Sequence, residues 1–265
     1  MSERTIPLIG FGTYRLEDHD QCAALVSEAL EAGYRHVDTA SAYNNEAAVG
    51  EGVRTASVPR EDVVVATKVW YDRLDYGDLK RSVEVSLDRM GLSTLDLVYV
   101  HWPVSTYDPP RTFAALDMLF EDGLIDGIGV ANFTIEQLES AREYCEAGID
   151  VLQIECHPLL PQWELCEYAY SRDIDIVAHT PLLQGELEDV PELRELSADR
   201  NCSPVQVGLA WLQSRGISAI PGTSDLTHLV ENFESPSIEL TEDEQATIDG
   251  IERRRRIADP YFAPW

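Results

Sequence analysis

Eight short apolar runs recur along the chain, each separated from the next by a longer stretch of amphipathic sequence. The runs are 6–11, 36–40, 63–70, 95–102, 128–133, 151–155, 174–179 and 217–221. Most are nearly continuous in apolar residues, which is how parallel strands buried on both faces read. Helical periodicity occupies 18–32, 45–56, 78–90, 111–122, 134–146, 162–171, 203–215 and 224–232, with a last helix over 241–255. Gly33 is placed to stop the first helix, Thr134 to cap the fifth, and Ser203 with Pro204 to cap and open another. Eight β-then-α units in 265 residues predict an α/β fold, a (β/α)8 TIM barrel filling 1–265 as a single domain. An open doubly wound sheet would carry a G-x-G-x-x-G fingerprint after its first strand. Gly10-Phe11-Gly12-Thr13-Tyr14-Arg15 lacks the third glycine.

A barrel places its chemistry at the C-terminal ends of its strands. Four ionisable residues meet that condition on three consecutive strands. Asp38 lies in the second strand, Tyr43 in the loop after it, Lys68 late in the third and His101 at the close of the fourth. Neighbouring parallel strands lie ~5 Å apart, so these side chains can meet. Lys68 stands out because only Lys68 and Lys80 are lysines. A chain that nearly excludes the residue has set one inside an apolar strand, where an unpaired ammonium is costly. Asp38 is its natural partner. Together they specify a carbonyl reduction. Tyr43 gives the proton to oxygen, Lys68 draws the tyrosine pKa down, Asp38 orients Lys68, and His101 polarises the carbonyl. Tyr14, Trp70 and Trp102, with His101, are expected to line the substrate pocket. The short 104–110 loop and short tail predict an open pocket for small aldehydes, α-dicarbonyls or keto sugars.

Composition removes other functions. Asp and Glu total 48 against 20 Lys and Arg, a net charge of −28, which excludes nucleic acid as a partner. No apolar run nears the ~20 residues of a membrane span, and the polar start carries no secretory signal. Five cysteines without a C-x-x-C pair read as reduced thiols of a cytoplasmic protein, expected as a monomer. Cys156 and His157 are adjacent on a strand and so face apart, which predicts no metal site. The acidic excess and scarcity of lysine predict a halophilic, salt-adapted surface. The arginine run 253–256 is expected to pair with surface carboxylates.

These segments resemble the aldo-keto reductase family over nearly the whole chain. The motifs are Gly33-Tyr34-Arg35-His36-Val37-Asp38-Thr39-Ala40 with Tyr43 and Asn45-Glu46, Thr67-Lys68-Val69-Trp70, and His101-Trp102-Pro103. Further along come Ile128-Gly129-Val130-Ala131-Asn132-Phe133, Gln153-Ile154-Glu155-Cys156-His157-Pro158, and Ile220-Pro221-Gly222-Thr223. Within the family, the start and end look similar to bacterial 2,5-diketo-D-gluconate reductases, the B type especially. The resemblance implies the tetrad Asp38, Tyr43, Lys68 and His101 and a nicotinamide cofactor. It implies cofactor contacts from Gly12, Thr13 and Asp38. Asn132 and Gln153 would hold the carboxamide, and His179 would stack where the family has tyrosine or tryptophan. Thr180, Leu182 and Gln184 would cross the pyrophosphate. Gly222, Thr223, Ser224 and the following helix N-terminus would take the adenosine phosphate, and Glu231 and Asn232 the adenine. Gly222 and His228 replace the family's basic grips on the 2′-phosphate, so NADPH is expected on neutral donors, with NADH as the alternative. Two rival functions are a Schiff-base lyase using Lys68 and a non-catalytic nicotinamide-binding subunit.

Overall fold

The computed structural model describes residues 6–198 and 200–265. Its elements alternate as β1 (Phe11–Gly12), α1 (His19–Ala32), β2 (His36–Asp38), α2 (Glu46–Thr55), β3 (Val64–Val69), α3 (Tyr76–Met90), β4 (Leu97–Val100), α4 (Pro109–Glu121), β5 (Ile128–Ala131), α5 (Ile135–Tyr144), β6 (Val151–Glu155), α6 (Trp163–Tyr170), β7 (Asp175–His179), α7 (Pro191–Ala198), α8 (Pro204–Gln213), β8 (Ser218–Ala219), α9 (Leu226–Glu234) and α10 (Glu242–Asp249). The strands pair in sequence order from β1 to β8, all parallel. The seam closes through a parallel bridge between Ile9 and Ala219 and through Gly12 N donating to Pro221 O at 3.1 Å. This is the expected (β/α)8 fold.

The two-residue period of a strand divides the side chains between two cores. Val65 and Val69 of β3 face outward into the large shell under the helices. Val64 and Ala66 face inward, with Leu97, Tyr99, Ala131, Val151 and Val177 from other strands. The inward face of β3 then continues to Lys68, that of β2 to Asp38, that of β6 to Gln153 and Glu155, and that of β7 to His179. Polar groups thus cap an apolar plug at one end of the barrel.

Local signals explain most helix ends. Asp18 accepts from Gln21 N at 2.9 Å, and Gly33 ends α1 at φ 115°. Thr134 and Ser203 each form a capping box. The strands at the seam are shorter than their apolar runs. Pro7 offers no N–H to a ladder, and Gly10 leaves no room for a side chain, since a Cβ there would lie 2.6 Å from His36 Nδ1. The sequence reading missed α7. It also ran α10 on to residue 255, whereas the helix stops at Asp249. Beyond it the backbone is claimed by the barrel: Arg255 N donates to Leu159 O at 3.0 Å. Among the described residues, no helix is long and apolar enough to cross a membrane.

Candidate active site

Asp38 and Lys68 form a buried ion pair at the inner ends of β2 and β3. Lys68 Nζ also donates to Thr39 O at 2.9 Å, and Gln153 Nε2 donates to the second Asp38 oxygen at 2.9 Å. Lys68 is 1% exposed and Asp38 2%. Burial lowers the lysine pKa, and Asp38 opposes that shift by its charge and its hydrogen bond. Both acceptors favour the ammonium, which is the wrong form for a Schiff-base amine.

Tyr43 ends a 3-10 turn, Ser41–Tyr43, that is stitched to the strands. Ser41 Oγ donates to Lys68 O at 2.8 Å, and Tyr43 N to Ala40 O at 2.9 Å. Asn45 accepts from Thr39 Oγ1 at 2.7 Å and donates to Thr13 O and Leu16 O at 2.9 and 3.2 Å. It therefore ties the β1 loop, which carries Tyr14, to the β2 loop. The Tyr43 ring lies 5.3 Å from Lys68 Nζ, 5.9 Å from the His101 ring and 5.1 Å from the Tyr14 ring. Burial, then the charges of Asp38 and Tyr14, hold the Tyr43 hydroxyl well above its ordinary pKa. The sequence reading expected Lys68 to pull it down; burial and the neighbouring charges push it the other way. His101 is driven well below 6.5 by burial, then by Lys68 and His179, and is neutral.

A second polar chain runs along β5 to β7. Asn132, at φ 62°, donates from Nδ2 to His101 O at 3.1 Å and pairs through Oδ1 with His179 Nε2 at 2.9 Å. An amide oxygen only accepts, so Nε2 carries the proton and Nδ1 accepts from Thr180 Oγ1, 3.0 Å away. Burial lowers the His179 pKa to about 4, which agrees with this neutral tautomer. Among the described residues, Asn132 keeps one amide N–H and one lone pair beyond its bonds to His101 O and His179, and the Gln153 amide lies beside it on the next strand, bonded to Asp38. That donor set fits a nicotinamide carboxamide.

Of the remaining predicted cofactor residues, Gly12 and Thr13 adjoin Asp38, and the others lie on the β7–β8 side. Thr180, Leu183 and Gln184 have φ of 53°, 52° and 55°, and Gly185 follows at 100°. The loop that holds Leu182 is therefore shaped by left-handed backbone, a conformation costly for side-chain-bearing residues. Gly12 and Gly222 face each other over the seam: a Cβ on Gly222 would lie 2.8 Å from Gly12 O. Thr13 Oγ1 is spent on Asp38 O at 3.1 Å. The helix expected to open near Ser224 opens at Leu226 instead. Asp225 caps it, accepting from Thr227 N and His228 N at 2.7 and 3.1 Å, and Thr223 Oγ1 accepts from Asp225 N at 3.0 Å. Two amides of the helix terminus expected to serve a phosphate are thus occupied by a carboxylate. Glu231 and Asn232 sit on the second turn of α9, where Glu231 O accepts from Gln206 Nε2 at 2.9 Å.

Glu155, one turn of the pleat beyond Gln153, reaches the C-terminal segment. Its oxygens accept from Ile257 N at 2.7 Å and Ala258 N at 2.6 Å and contact His157 Nε2 at 2.9 Å. Burial pushes this carboxyl up, but the bonds from His157, Ile257 and Ala258 together hold it below its ordinary value. The segment so anchored brings Phe262 to 5.4 Å from Trp102 and 6.3 Å from Trp70, and Trp265 to 5.6 Å from Trp102. The Trp70 ring meets the His101 ring edge-on at 4.8 Å. The open pocket expected from a short tail is therefore roofed by tail aromatics. Trp102, 6% exposed, touches the tail rings rather than lying bare at the mouth.

A profile of the aldo/keto reductase family matches residues 8–253. The chain belongs to the aldo/keto reductase family. A 9,11-endoperoxide prostaglandin H2 reductase of Trypanosoma cruzi is 38% identical over 259 residues, spanning 96% of this chain and 91% of that one. A glyoxal reductase of Bacillus subtilis is 34% identical over 95% of this chain and 91% of its own. A solved structure provisionally named a 2,5-diketo-D-gluconic acid reductase B superposes with a TM-score of 0.93 at 32% identity, covering 97% of this chain and 92% of that one.

For this family member, sequence reasoning assigned no role to Glu155, Asp225, Phe262 or Trp265. Two of these left a signal. A carboxylate closing an apolar strand two residues after Gln153 must share its inward face, and Ser-Asp before a helix is a capping signature. The tail aromatics left none, because their contacts depend on where Glu155 pins the chain.

Proposed function

We propose that this reductase transfers hydride from a nicotinamide cofactor to small aldehydes, α-dicarbonyls or keto sugars, with Tyr43 as the proton donor. The observation that carries the reading is the placement of a protonated tyrosine between a locked ammonium and a neutral imidazole. The bound cofactor supplies the hydride. Tyr43 Oη supplies the proton to the carbonyl oxygen as the hydride reaches carbon, so charge balances at the substrate. Negative charge then grows on the tyrosine oxygen. The Lys68 ammonium, fixed by Asp38, is already in place to compensate it without reorganisation. Neutral His101 can donate a hydrogen bond to the carbonyl, and the Trp70 edge against it limits its rotation. Trp102, Phe262 and Trp265 exclude water from the mouth.

Asn132 and Gln153 would hold the carboxamide, with His179 beside it, and the 180–185 loop would span the pyrophosphate. The names of the glyoxal and methylglyoxal reductases among the relatives support small carbonyl substrates. For the cofactor, Asp225 alters the balance expected from sequence. A capping carboxylate repels a 2′-phosphate, whereas a free ribose hydroxyl can donate to one. We therefore read the site as favouring NADH over the NADPH first expected. The test is to follow NADH and NADPH absorbance with methylglyoxal in KCl. Oxidation that depends on the carbonyl is expected. Tight cofactor binding without oxidation of any carbonyl tried would mark a binding subunit instead.

A further inference from the structure

The arginine run 253–256 divides in two. Arg253 pairs bidentately with Glu192 at 2.7 and 2.6 Å, and Arg255 pairs with Glu186 at 2.6 Å. Those two behave as a surface run in an acidic protein should. Arg254 and Arg256 alternate with them, and among the described residues neither has an ion-pair partner. Both line one cavity of about 440 Å³ at the C-terminal end of the barrel. Phe133, Leu160, Trp163 and Trp265 supply apolar walls, and Asn132 is shared with the tetrad side of the rim.

What sets these two guanidiniums apart is that both face one cavity. Acidic side chains outnumber basic ones 48 to 20, so a stray arginine has many carboxylates to choose from. Arg254 spends Nη1 on the carbonyls of Ile251 and Arg253. Arg256 lies over the Trp265 ring at 4.0 Å and makes no side-chain hydrogen bond among the described residues. Stacking occupies the face of a guanidinium and leaves its fork of edge donors free. The charges of Glu155 and Asp259 both reach Arg256, but Glu155 is already committed to His157, Ile257 and Ala258, and Asp259 Oδ1 accepts from Trp265 Nε1 at 3.1 Å. Glu164 also stands on the wall without an ion pair to either arginine.

We infer that this cavity binds an organic carboxylate, gripped by Arg256 with help from Arg254, its carbon body resting on Phe133, Leu160 and Trp163. The carboxylate is either the far end of the carbonyl substrate, an arm that rests on the reduction proposed above, or a separate ligand. 4-Oxobutanoate and butanal are both four-carbon aldehydes, and only the first carries a carboxylate. Both are assayed at one fixed salt concentration with the wild type, Arg256→Gln and Arg256→Lys, and butanoate binding is measured by calorimetry. A charge-assisted pair of this kind corresponds to a change of about tenfold or more. If the carboxylate belongs to the substrate, Arg256→Gln raises KM for 4-oxobutanoate by that factor relative to butanal, and Arg256→Lys recovers part of it. If it is a separate ligand, the KM ratio holds and butanoate affinity falls by the same factor. Loss of neither overturns the inference. Should Arg256→Gln fail to fold, Arg254→Gln carries the same comparisons. A wild type that reduces neither aldehyde nor methylglyoxal removes the reduction reading, while calorimetry still decides the cavity.

Discussion

The β2–β4 side of the barrel mouth and the β7–β8 side are built from different materials. On the first, side chains do the work. Asp38, Lys68 and His101 are buried and Tyr43 is half-buried. Asp38 and Lys68 hold each other, Tyr43 and His101 are packed among rings, and the Ser41 hydroxyl donates to Lys68 O. On the second, backbone shape does the work. Residues 180–185 hold four positive φ angles, Gly12 and Gly222 allow two chain segments to touch, and the helix terminus is filled by its own Asp225. A proton transfer needs one residue type at one point. A grip on a long cofactor tolerates many residue types, provided the chain follows the right path. The first side should therefore fail abruptly on substitution and the second should retune.

The sharpest break is at Tyr43. Tyr43→Phe should lower kcat by about 10²–10⁴, the usual worth of a general acid, while cofactor affinity by fluorescence titration stays at the wild-type value. Lys68→Met should also cripple turnover. It should in addition lower stability to denaturant by about 3–5 kcal/mol, because Asp38 is left buried and unpaired. The double variant Asp38→Asn/Lys68→Met should regain much of that stability and none of the turnover, which separates the pair's two roles. On the other side, Asp225→Ser should shift the ratio of kcat/KM for NADPH over NADH upward by about tenfold, equivalent to ~1.4 kcal/mol, with little loss of kcat. A loss of activity like that of Tyr43→Phe would erase the contrast between the two sides. The smallest effect per residue belongs to the acidic surface, which should act on both sides alike. Moving from low salt to multimolar KCl should raise the thermal midpoint as self-repulsion is screened over about 3 Å at 1 M. An unchanged midpoint would remove the salt-adaptation reading.

The same contrast decides what was legible in the sequence. Position at the C-terminal ends of the strands located Asp38, Lys68 and His101, and Lys68 stood out because interior placement of a charged residue is rare and costly. The strands from β3 to β7 were readable for the related reason that buried parallel strands are apolar throughout. The seam strands were not, since their ends are set by close backbone approach at Gly10 and Gly12. The ionisation of Tyr43 was misread because sequence supplies its neighbours but not its burial. The path of the tail was illegible: it depends on two backbone N–H groups donating to Glu155, and backbone hydrogen bonds leave no trace in residue type.

The burial of Lys68 has a practical consequence for anyone handling the protein. Of the two lysine side chains, one is 1% exposed and locked to Asp38. The other, Lys80, lies partly exposed on α3, where the Met118 sulfur is a hydrogen-bond neighbour at 3.7 Å. An amine-reactive dye added to the folded chain thus finds a single side-chain target, on the outer shell and away from the mouth. The scarcity that first drew attention to one lysine makes the other a ready-made attachment point for a fluorophore or a surface.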